Sequence, residues 1–176
     1  MADPKTIAQP SAAGKRLLLV LLFGLLVFGL DQATKWFALR HLTPGLPVNV
    51  GGETLRLTLV SNPHLAFGIP VPQTAYFVLL GIFLLLAVLG VFLRPKGSLR
   101  HNLTALYPTL AGIGLGAAAG NLTDRLRLGA VVDFIDIGLS PTLRWPTFNV
   151  ADIGLTLVVL LLLWQMLKKG RQGPNL

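Results

Sequence analysis

Long apolar segments separated by short polar ones dominate the pattern of this chain. Residues 65–93 contain no Asp, Glu, Lys or Arg over 29 positions, and residues 102–123 contain none over 22. A helix of about 20 apolar residues crosses a hydrocarbon layer of about 30 Å. The pattern predicts four membrane-spanning helices, at about residues 17–39, 73–93, 103–122 and 150–167.

A different period follows the first predicted span. Gly51 and Gly52 form a turn signal, and the segment after them alternates, with Leu55, Leu57 and Leu59 on one face of a strand. A glycine turn beside an alternating run is typical of a hairpin. We expect a β-hairpin or small sheet at the outer membrane interface, whereas residues 123–149 show no clear period.

The predicted fold class is therefore an all-α integral membrane protein with four transmembrane helices and a small outer sheet. Residues 1–14 are predicted to be a disordered tail, residues 15–170 a single membrane domain, and residues 171–176 a short C-terminal tail. Lys15 and Arg16 precede an apolar run, as in a signal peptide, but no Ala-x-Ala-like cleavage site follows. The first span is expected to remain uncleaved.

Composition supports this class and excludes several kinds of chemistry. The chain has 176 residues, of which 53% are hydrophobic and only 12% charged, about half the charged fraction of a soluble domain. It has no cysteine, which excludes disulfides, thiol nucleophiles and cysteine-bound metals. The three histidines are not spaced as metal ligands, and we expect neither a metal nor a cofactor.

The distribution of charge predicts the orientation. The segments 1–16, 94–101 and 168–176 contain nine basic residues against one acidic residue, Asp3. The remaining residues contain six basic and six acidic side chains, so the net charge of +8 lies on one side. This positive-inside pattern places both termini in the cytoplasm and argues against a nucleic-acid partner.

Three polar clusters fall at the outer ends of the predicted spans. They comprise Asp31 and Lys35; Asn121, Asp124 and Arg125; and Asp133, Asn149 and Asp152. Ionisable groups at membrane depth are costly and are therefore functional candidates. Structural alternatives remain open: an i,i+4 ion pair for Asp31 and Lys35, and a helix cap for Asn149 and Asp152. Asp124 and Arg125 are compatible with a structural ion pair.

Small residues at helical spacing occupy the third predicted span. Gly112, Gly116 and Gly120 repeat every four residues, a pattern that lets two helices approach closely in lipid. We expect this packing to draw Asn121 and Arg125 against a neighbouring helix.

Carboxylates are the chemical groups left after this elimination. Two carboxylates a few ångströms apart cannot both ionise freely, so such a pair holds one proton. The ionised member can take a proton from water while the protonated member donates to a carbonyl oxygen. A pair of this kind is competent for hydrolysis.

Four motifs carry a family resemblance. Asp31-Gln-x-x-Lys35, Gly120-Asn-Leu-x-Asp-Arg125, Gly129-x-Val-Val-Asp133-Phe and Phe148-Asn-x-Ala-Asp152 occur in this order. The chain resembles the bacterial lipoprotein signal peptidases (signal peptidase II), which are aspartic membrane proteases, over about residues 17–168. The resemblance implies a catalytic dyad of Asp133 and Asp152. It further implies site-lining residues Asn62, Asn121, Arg125 and Asn149, and structural support from Asp31, Lys35 and Asp124.

The resemblance also implies partners and a location. The substrate is a diacylglyceryl-modified prolipoprotein cut before its lipidated cysteine, and globomycin-like peptides inhibit by occupying the dyad. The enzyme lies among the lipids of the bacterial inner membrane as a multi-pass protein, with its site at the outer face; a monomer is compatible with the sequence. His64 stands where the family usually has glycine, which places the local backbone geometry in question.

Two other classes are compatible with clustered polar residues in a membrane. One is a small transporter or scaffold that uses Asp31 and Lys35 as a gate, but the midplane segments hold almost no polar residues. The other is a magnesium-dependent lipid phosphotransferase, which holds the ion with clustered aspartates. Sensitivity to EDTA distinguishes that enzyme from an aspartic protease.

Overall fold

A computed structural model describes residues 11–64 and 105–170 of the chain. Within them the chain forms three helices and three strands. These are α1 (Ala12–His41), β1 (Val48–Gly51), β2 (Leu55–Asn62), α2 (Leu106–Leu128), β3 (Val131–Ile137) and α3 (Val150–Gly170). The predicted span at 73–93 and the tail at 171–176 lie outside the described residues, so four spans remain a prediction.

Helix α1 begins inside the predicted tail. The side chain of Ser11 accepts a hydrogen bond of 3.1 Å from the backbone N–H of Gly14, which is the usual way a serine caps a helix. Residues 12–14 are therefore helical, and the prediction that the whole of 1–14 is disordered is wrong for them. Residues 1–10 lie outside the described part of the chain.

Helices α2 and α3 also run past the predicted spans. Helix α2 continues to Leu128, six residues beyond the predicted end, and stops at Gly129 with a φ of 76°. A left-handed glycine is a common helix terminator because it has no Cβ to clash. Helix α3 starts at Val150, as predicted, and ends at Gly170.

The apolar side chains of α1 and α3 point outward. Along α1, Leu18 and Leu25 are 62% and 69% exposed, and on α3 Leu160 is 59% exposed. Within the described residues α1 is long and apolar enough to cross a membrane, and the apolar part of α3, Val150–Gln165, is shorter. Apolar surface of this extent outside a protein marks a lipid-facing or binding surface.

Glycines hold α1 and α2 in close contact. A Cβ added to Gly116 would lie 2.2 Å from the carbonyl oxygen of Gly24, and one added to Gly112 would lie 2.6 Å from that of Val20. The small-residue pattern of the third predicted span therefore works as expected, because backbone meets backbone where side chains are missing.

The three strands form one antiparallel sheet in the order β1-β2-β3. This confirms the predicted small sheet and adds a strand, β3, in a region where the sequence shows no clear period. Leu57 pairs with Ile135, but Val60 rather than Leu59 pairs with Asp133, so one extra residue interrupts the β2 ladder. Such a bulge shifts the alternation of side chains, and the predicted single face of three leucines does not extend past Leu57.

The sheet packs on the outer end of α1. Ala38 of α1 is buried together with Leu59, Val132 and Phe134. This small core fixes β3 against the helix, and thereby fixes the position of Asp133, which lies between two of the core residues.

A polar contact secures the loop that follows β3. Arg144 forms an ion pair with Asp136 and donates to the carbonyl oxygen of Glu53 at 2.9 Å. Asp136 also accepts a hydrogen bond of 2.9 Å from the hydroxyl of Thr58. The loop between β3 and α3 is thus tied to the hairpin.

Candidate active site

Polar side chains are buried where the C-terminal halves of α1 and α2 meet β3 and the start of α3. Each of six is at most 7% exposed: Asp31, Lys35, Asn121, Asp124, Asp133 and Asn149. Buried polar groups are costly unless they are hydrogen-bonded or paired. This cluster is fully networked, as the following contacts show.

Asn149 is bonded to both predicted catalytic carboxylates. Its side-chain Nδ2 donates to Oδ1 of Asp133 at 2.7 Å, and its backbone N–H donates to Oδ2 of Asp152 at 3.3 Å. The backbone N–H of Asp152 donates back to Oδ1 of Asn149 at 2.9 Å. The reciprocal bonds form a capping box at the start of α3, as considered from the sequence. The same asparagine also bonds to Asp133, so Asn149 both caps the helix and contacts both carboxylates.

Asn121 connects Asp152 to α1. Its Nδ2 donates to Oδ1 of Asp152 at 3.1 Å. Its Oδ1 accepts from Nζ of Lys35 at 2.7 Å and from Nδ2 of Asn149 at 3.2 Å. Two donors at the oxygen fix the orientation of the amide, so its nitrogen must face Asp152.

Asn62 completes the shell of Asp133. Its Nδ2 donates to Oδ2 of Asp133 at 2.8 Å, and its own Oδ1 accepts from the backbone N–H of His64 at 2.9 Å. Asn62 pairs with Val131 across the ladder, two residues from Asp133. The sheet therefore delivers Asn62 to the same face as the carboxylate.

Arg125 braces the segment after β2. Its guanidinium donates to the carbonyl oxygen of His64 at 2.7 Å and to that of Asn121 at 3.3 Å. The polar backbone groups of His64, the residue that replaces the family glycine, are thus both bonded. Because His64 is also bonded to Asn62, Arg125 helps to hold Asn62 in place.

Asp31, Lys35 and Asp124 form a buried ion cluster that crosses from α1 to α2. Nζ of Lys35 lies 2.8 Å from Oδ2 of Asp31 and 2.8 Å from Oδ2 of Asp124. The i,i+4 pair considered from the sequence is present, but it is half of a larger arrangement that crosses from α1 to α2.

Burial raises the pKa of Asp133 from 3.8 to about 6. Loss of hydration is the largest cause, and the nearby charge of Asp152 acts in the same direction. The hydrogen bonds from Asn62 and Asn149 and the charge of Lys35 oppose the rise. A carboxyl group with such a pKa carries a proton for part of the time near neutral pH, as an acid catalyst must.

Gln32 is a site residue that the sequence analysis did not select. Its Nε2 lies 3.2 Å from Oδ2 of Asp31, from Oδ1 of Asp124 and from the carbonyl oxygen of Gly120. The signal was its place beside Asp31 in the first motif, in an otherwise apolar helix. All nine residues predicted for the site are joined through the hydrogen bonds and ion pairs described above.

Comparison with known proteins decides the family. The family model described as signal peptidase (SPase) II matches residues 23–168. The chain belongs to the signal peptidase II family. Its function is accordingly that of the family, the cleavage of signal peptides from prolipoproteins.

Relatives in the signal peptidase II family cover most of the chain. A lipoprotein signal peptidase of Moorella thermoacetica is 39% identical over 154 residues, which cover 87% of this chain and 96% of that protein. One from Rhodococcus jostii is 36% identical over 168 residues, covering 91% and 78%. A solved structure, described as a bacterial membrane enzyme determined by the in meso method at 2.3 Å resolution, matches with a TM-score of 0.70 and 26% identity. That match covers 89% of this chain and 92% of the other.

Proposed function

We propose that this signal peptidase II family member is an aspartic endopeptidase in which Asp133 and Asp152 form the catalytic dyad. The observation that carries the proposal is that Asn149 donates to both carboxylates, through its side chain and its backbone. The substrate is a diacylglyceryl-modified prolipoprotein, cut just before the lipidated cysteine.

The two carboxylates share one proton and divide the chemistry. The ionised member removes a proton from the attacking water, and the protonated member donates to the carbonyl oxygen of the scissile amide. The rise in the pKa of Asp133 to about 6 supports this sharing. When the tetrahedral intermediate collapses, the proton passes to the leaving nitrogen, and the dyad returns to its starting state.

The asparagines keep the dyad in position. Asn62 and Asn149 each donate to one oxygen of Asp133, and Asn121 donates to Asp152. These bonds leave little freedom for either carboxylate to rotate. In this proposal, the substrate or a globomycin-like inhibitor engages the two carboxylates directly.

The reaction suits a site at the outer face of the bacterial cytoplasmic membrane. The proposed enzyme crosses the membrane four times, with both termini inside, in keeping with the positive charge of the segments 1–16 and 168–176. A dyad at the outer interface leaves the signal peptide and the diacylglyceryl chains in hydrocarbon while water reaches the amide. The outward leucines of α1 and α3 support this placement.

The test replaces each proposed catalytic carboxylate by an amide. In purified enzyme, Asp133→Asn and Asp152→Asn should each reduce cleavage of a diacylated precursor by at least about 10³-fold, because an amide neither accepts nor supplies the shared proton. Glu53→Gln, an exposed acid-to-amide change at the hairpin turn, is the matched control and should leave the rate unchanged. The rate should also be insensitive to EDTA.

Normal processing by either dyad variant would exclude the aspartic assignment. Loss of activity in EDTA, restored by magnesium, would instead favour a metal-dependent enzyme. Gel mobility of the lipidated precursor and of its product reports the outcome directly.

A further inference from the structure

Lys35 is bonded to three side chains of the site, which lie on α1 and α2. Its Nζ donates to Asp31 on its own helix and to Asp124 on α2, each at 2.8 Å. The third hydrogen bond, at 2.7 Å, goes to Asn121. An ammonium has three protons, and all three are used.

Each of the two carboxylates bound to Lys35 holds the backbone next to a dyad residue. Oδ1 of Asp31 accepts from the N–H of Ala151 at 3.0 Å, and Ala151 directly precedes Asp152. Oδ2 of Asp124 accepts from the N–H of Val132 at 3.1 Å, and Val132 directly precedes Asp133.

We infer that Lys35 is the positioning residue of the dyad, which sets the separation of Asp133 and Asp152 through these two carboxylates and through Asn121. We call this arrangement the Lys35 hub: Lys35, Asp31, Asp124 and Asn121. The inference rests on the proposed aspartic mechanism. The hub touches the backbone on both sides of the site and the side chain of Asp152, so movement of the ammonium moves both catalytic groups.

Charge balance alone does not account for the hub. One lysine faces two carboxylates, so the ion cluster keeps a net charge of −1 with Lys35 present. Gln32 adds a neutral donor between Asp31 and Asp124, which also leaves the charge unaltered. What Lys35 supplies is directed bonding between α1, α2 and the start of α3.

Two variants separate geometry from charge. Lys35→Met removes the ammonium and leaves two buried carboxylates without their cation. Lys35→Met/Asp124→Asn also removes the ammonium, but it keeps the wild-type cluster charge of −1. Thr34→Ala is the matched control, because Thr34 is half-buried on the same turn of α1 and bonds only within that helix in the described contacts.

We expect the double variant to fold yet to lose at least about 10²-fold in kcat, with KM for the precursor within about threefold, because misplacement of the dyad by an ångström affects the chemical step. A thermal melt in detergent checks folding. If charge balance were the only role of Lys35, the double variant would regain the activity lost in Lys35→Met.

The pH profile of kcat/KM provides a readout that a purely structural role of Lys35 would leave unchanged. Repulsion between two close carboxylates separates the two apparent pKa values of the dyad. If the carboxylates move apart by about 1 Å, the two limbs of the kcat/KM profile should approach each other by about half a pH unit. Among the described residues, the other charged or titratable groups around the dyad are Asp31, Asp124, Arg125 and His64, and a uniform electrostatic effect of these groups shifts both limbs together.

The possible outcomes separate this inference from the proposed function. In one outcome, Asp133→Asn abolishes cleavage, but the double variant keeps a normal kcat and an unchanged pH profile of kcat/KM. That outcome would overturn the role of Lys35 and leave the proposed dyad intact. Failure of both Lys35 variants to fold, with Thr34→Ala normal, would assign Lys35 to folding and would also overturn it. Full activity in Asp133→Asn would refute the dyad itself.

Discussion

The contact between α1 and α2 offers a sharp test, because it lies away from the dyad but sets the distance that the Lys35 hub must span. The change is Gly116→Ala, a single methyl group on α2. The new Cβ would lie 2.2 Å from the carbonyl oxygen of Gly24, while contacts below 3.0 Å essentially do not occur. Both atoms belong to helix backbones, so no side chain can rotate away.

The magnitude follows from these distances. The helices must separate by about 0.8 Å to reach 3.0 Å. If that shift reached the ends of the helices at Lys35, its bonds to Asp124 and Asn121, now 2.8 and 2.7 Å, would lengthen to about 3.6 and 3.5 Å, beyond the usual range of an N–H···O hydrogen bond. Bonds to charged groups contribute about 1.5–3 kcal/mol each. We expect a marked loss of stability and a fall in kcat of about 10²-fold.

Gly29→Ala is the matched control. Gly29 also lies on a helix of this pair, α1, but a Cβ there would meet none of the residues that the structure describes within 4 Å. This variant should keep full activity and should be unchanged or slightly more stable, since alanine favours a helix by about 1 kcal/mol over glycine.

The assay compares the three proteins in one detergent. Cleavage of a diacylated precursor gives kcat and KM, and a thermal melt gives the midpoint. A Gly116→Ala enzyme within twofold of wild type in kcat and with the same melting temperature would refute the reasoning, because the close backbone contact would then have no bearing on the site.

Two further predictions concern stability. Since the folded pKa of Asp133 is raised from 3.8 to about 6, the folded state binds more protons between these values; stability is highest below pH 3.8 as far as this group is concerned and falls as the pH rises to 6. Melting curves should show this slope in wild type and not in Asp133→Asn; an equal slope in both would contradict it. Gly129→Val should destabilise by at least about 1 kcal/mol, because Gly129 has a φ of 76°, and an unchanged melting temperature would show that the turn before β3 is not constrained.

Three of the predicted helices correspond to described helices, and the nine residues selected from the sequence lie in one hydrogen-bonded network. The first, third and fourth apolar runs each correspond to a described helix, because a long run without charges has few other stable conformations in a membrane. The C-terminal end of α2 could not be placed. Helix α2 continues through Asp124 and Arg125 to Leu128, where charged residues interrupt the apolar run and apolarity no longer marks the helix.

Strand β3 could not be predicted from alternation. Val131, Val132, Asp133 and Phe134 are all buried, so the strand is enclosed on both faces and has no period of two. Its β-branched residues between Gly129 and Gly138 were the available signal. A strand here brings Asp133 back toward Asp152, from which it is separated by 18 residues in the sequence.

Side-chain contacts between helices could not be predicted from the sequence alone. The sequence offers Asp31 as the i+4 neighbour of Lys35, but the contact with Asp124 depends on how α1 is rotated against α2. That rotation follows from the backbone contacts of Gly112 and Gly116 with α1. The glycine period predicts which face of α2 packs, but not which face of α1 it meets. Gln32 was missed for the same reason.

The bulge in β2 determines what surrounds the dyad. Val48, Leu57 and Ile135 lie in one row of the sheet, on the same side as Asp133, which is two residues from Ile135. In a regular strand, Asn62 would be out of phase with Leu57 and would point to the opposite side. The single extra residue restores the phase, so the apolar row and Asn62 lie on the same side of the sheet as Asp133. In the proposed mechanism, hydrolysis would therefore take place beside an apolar strip of the sheet.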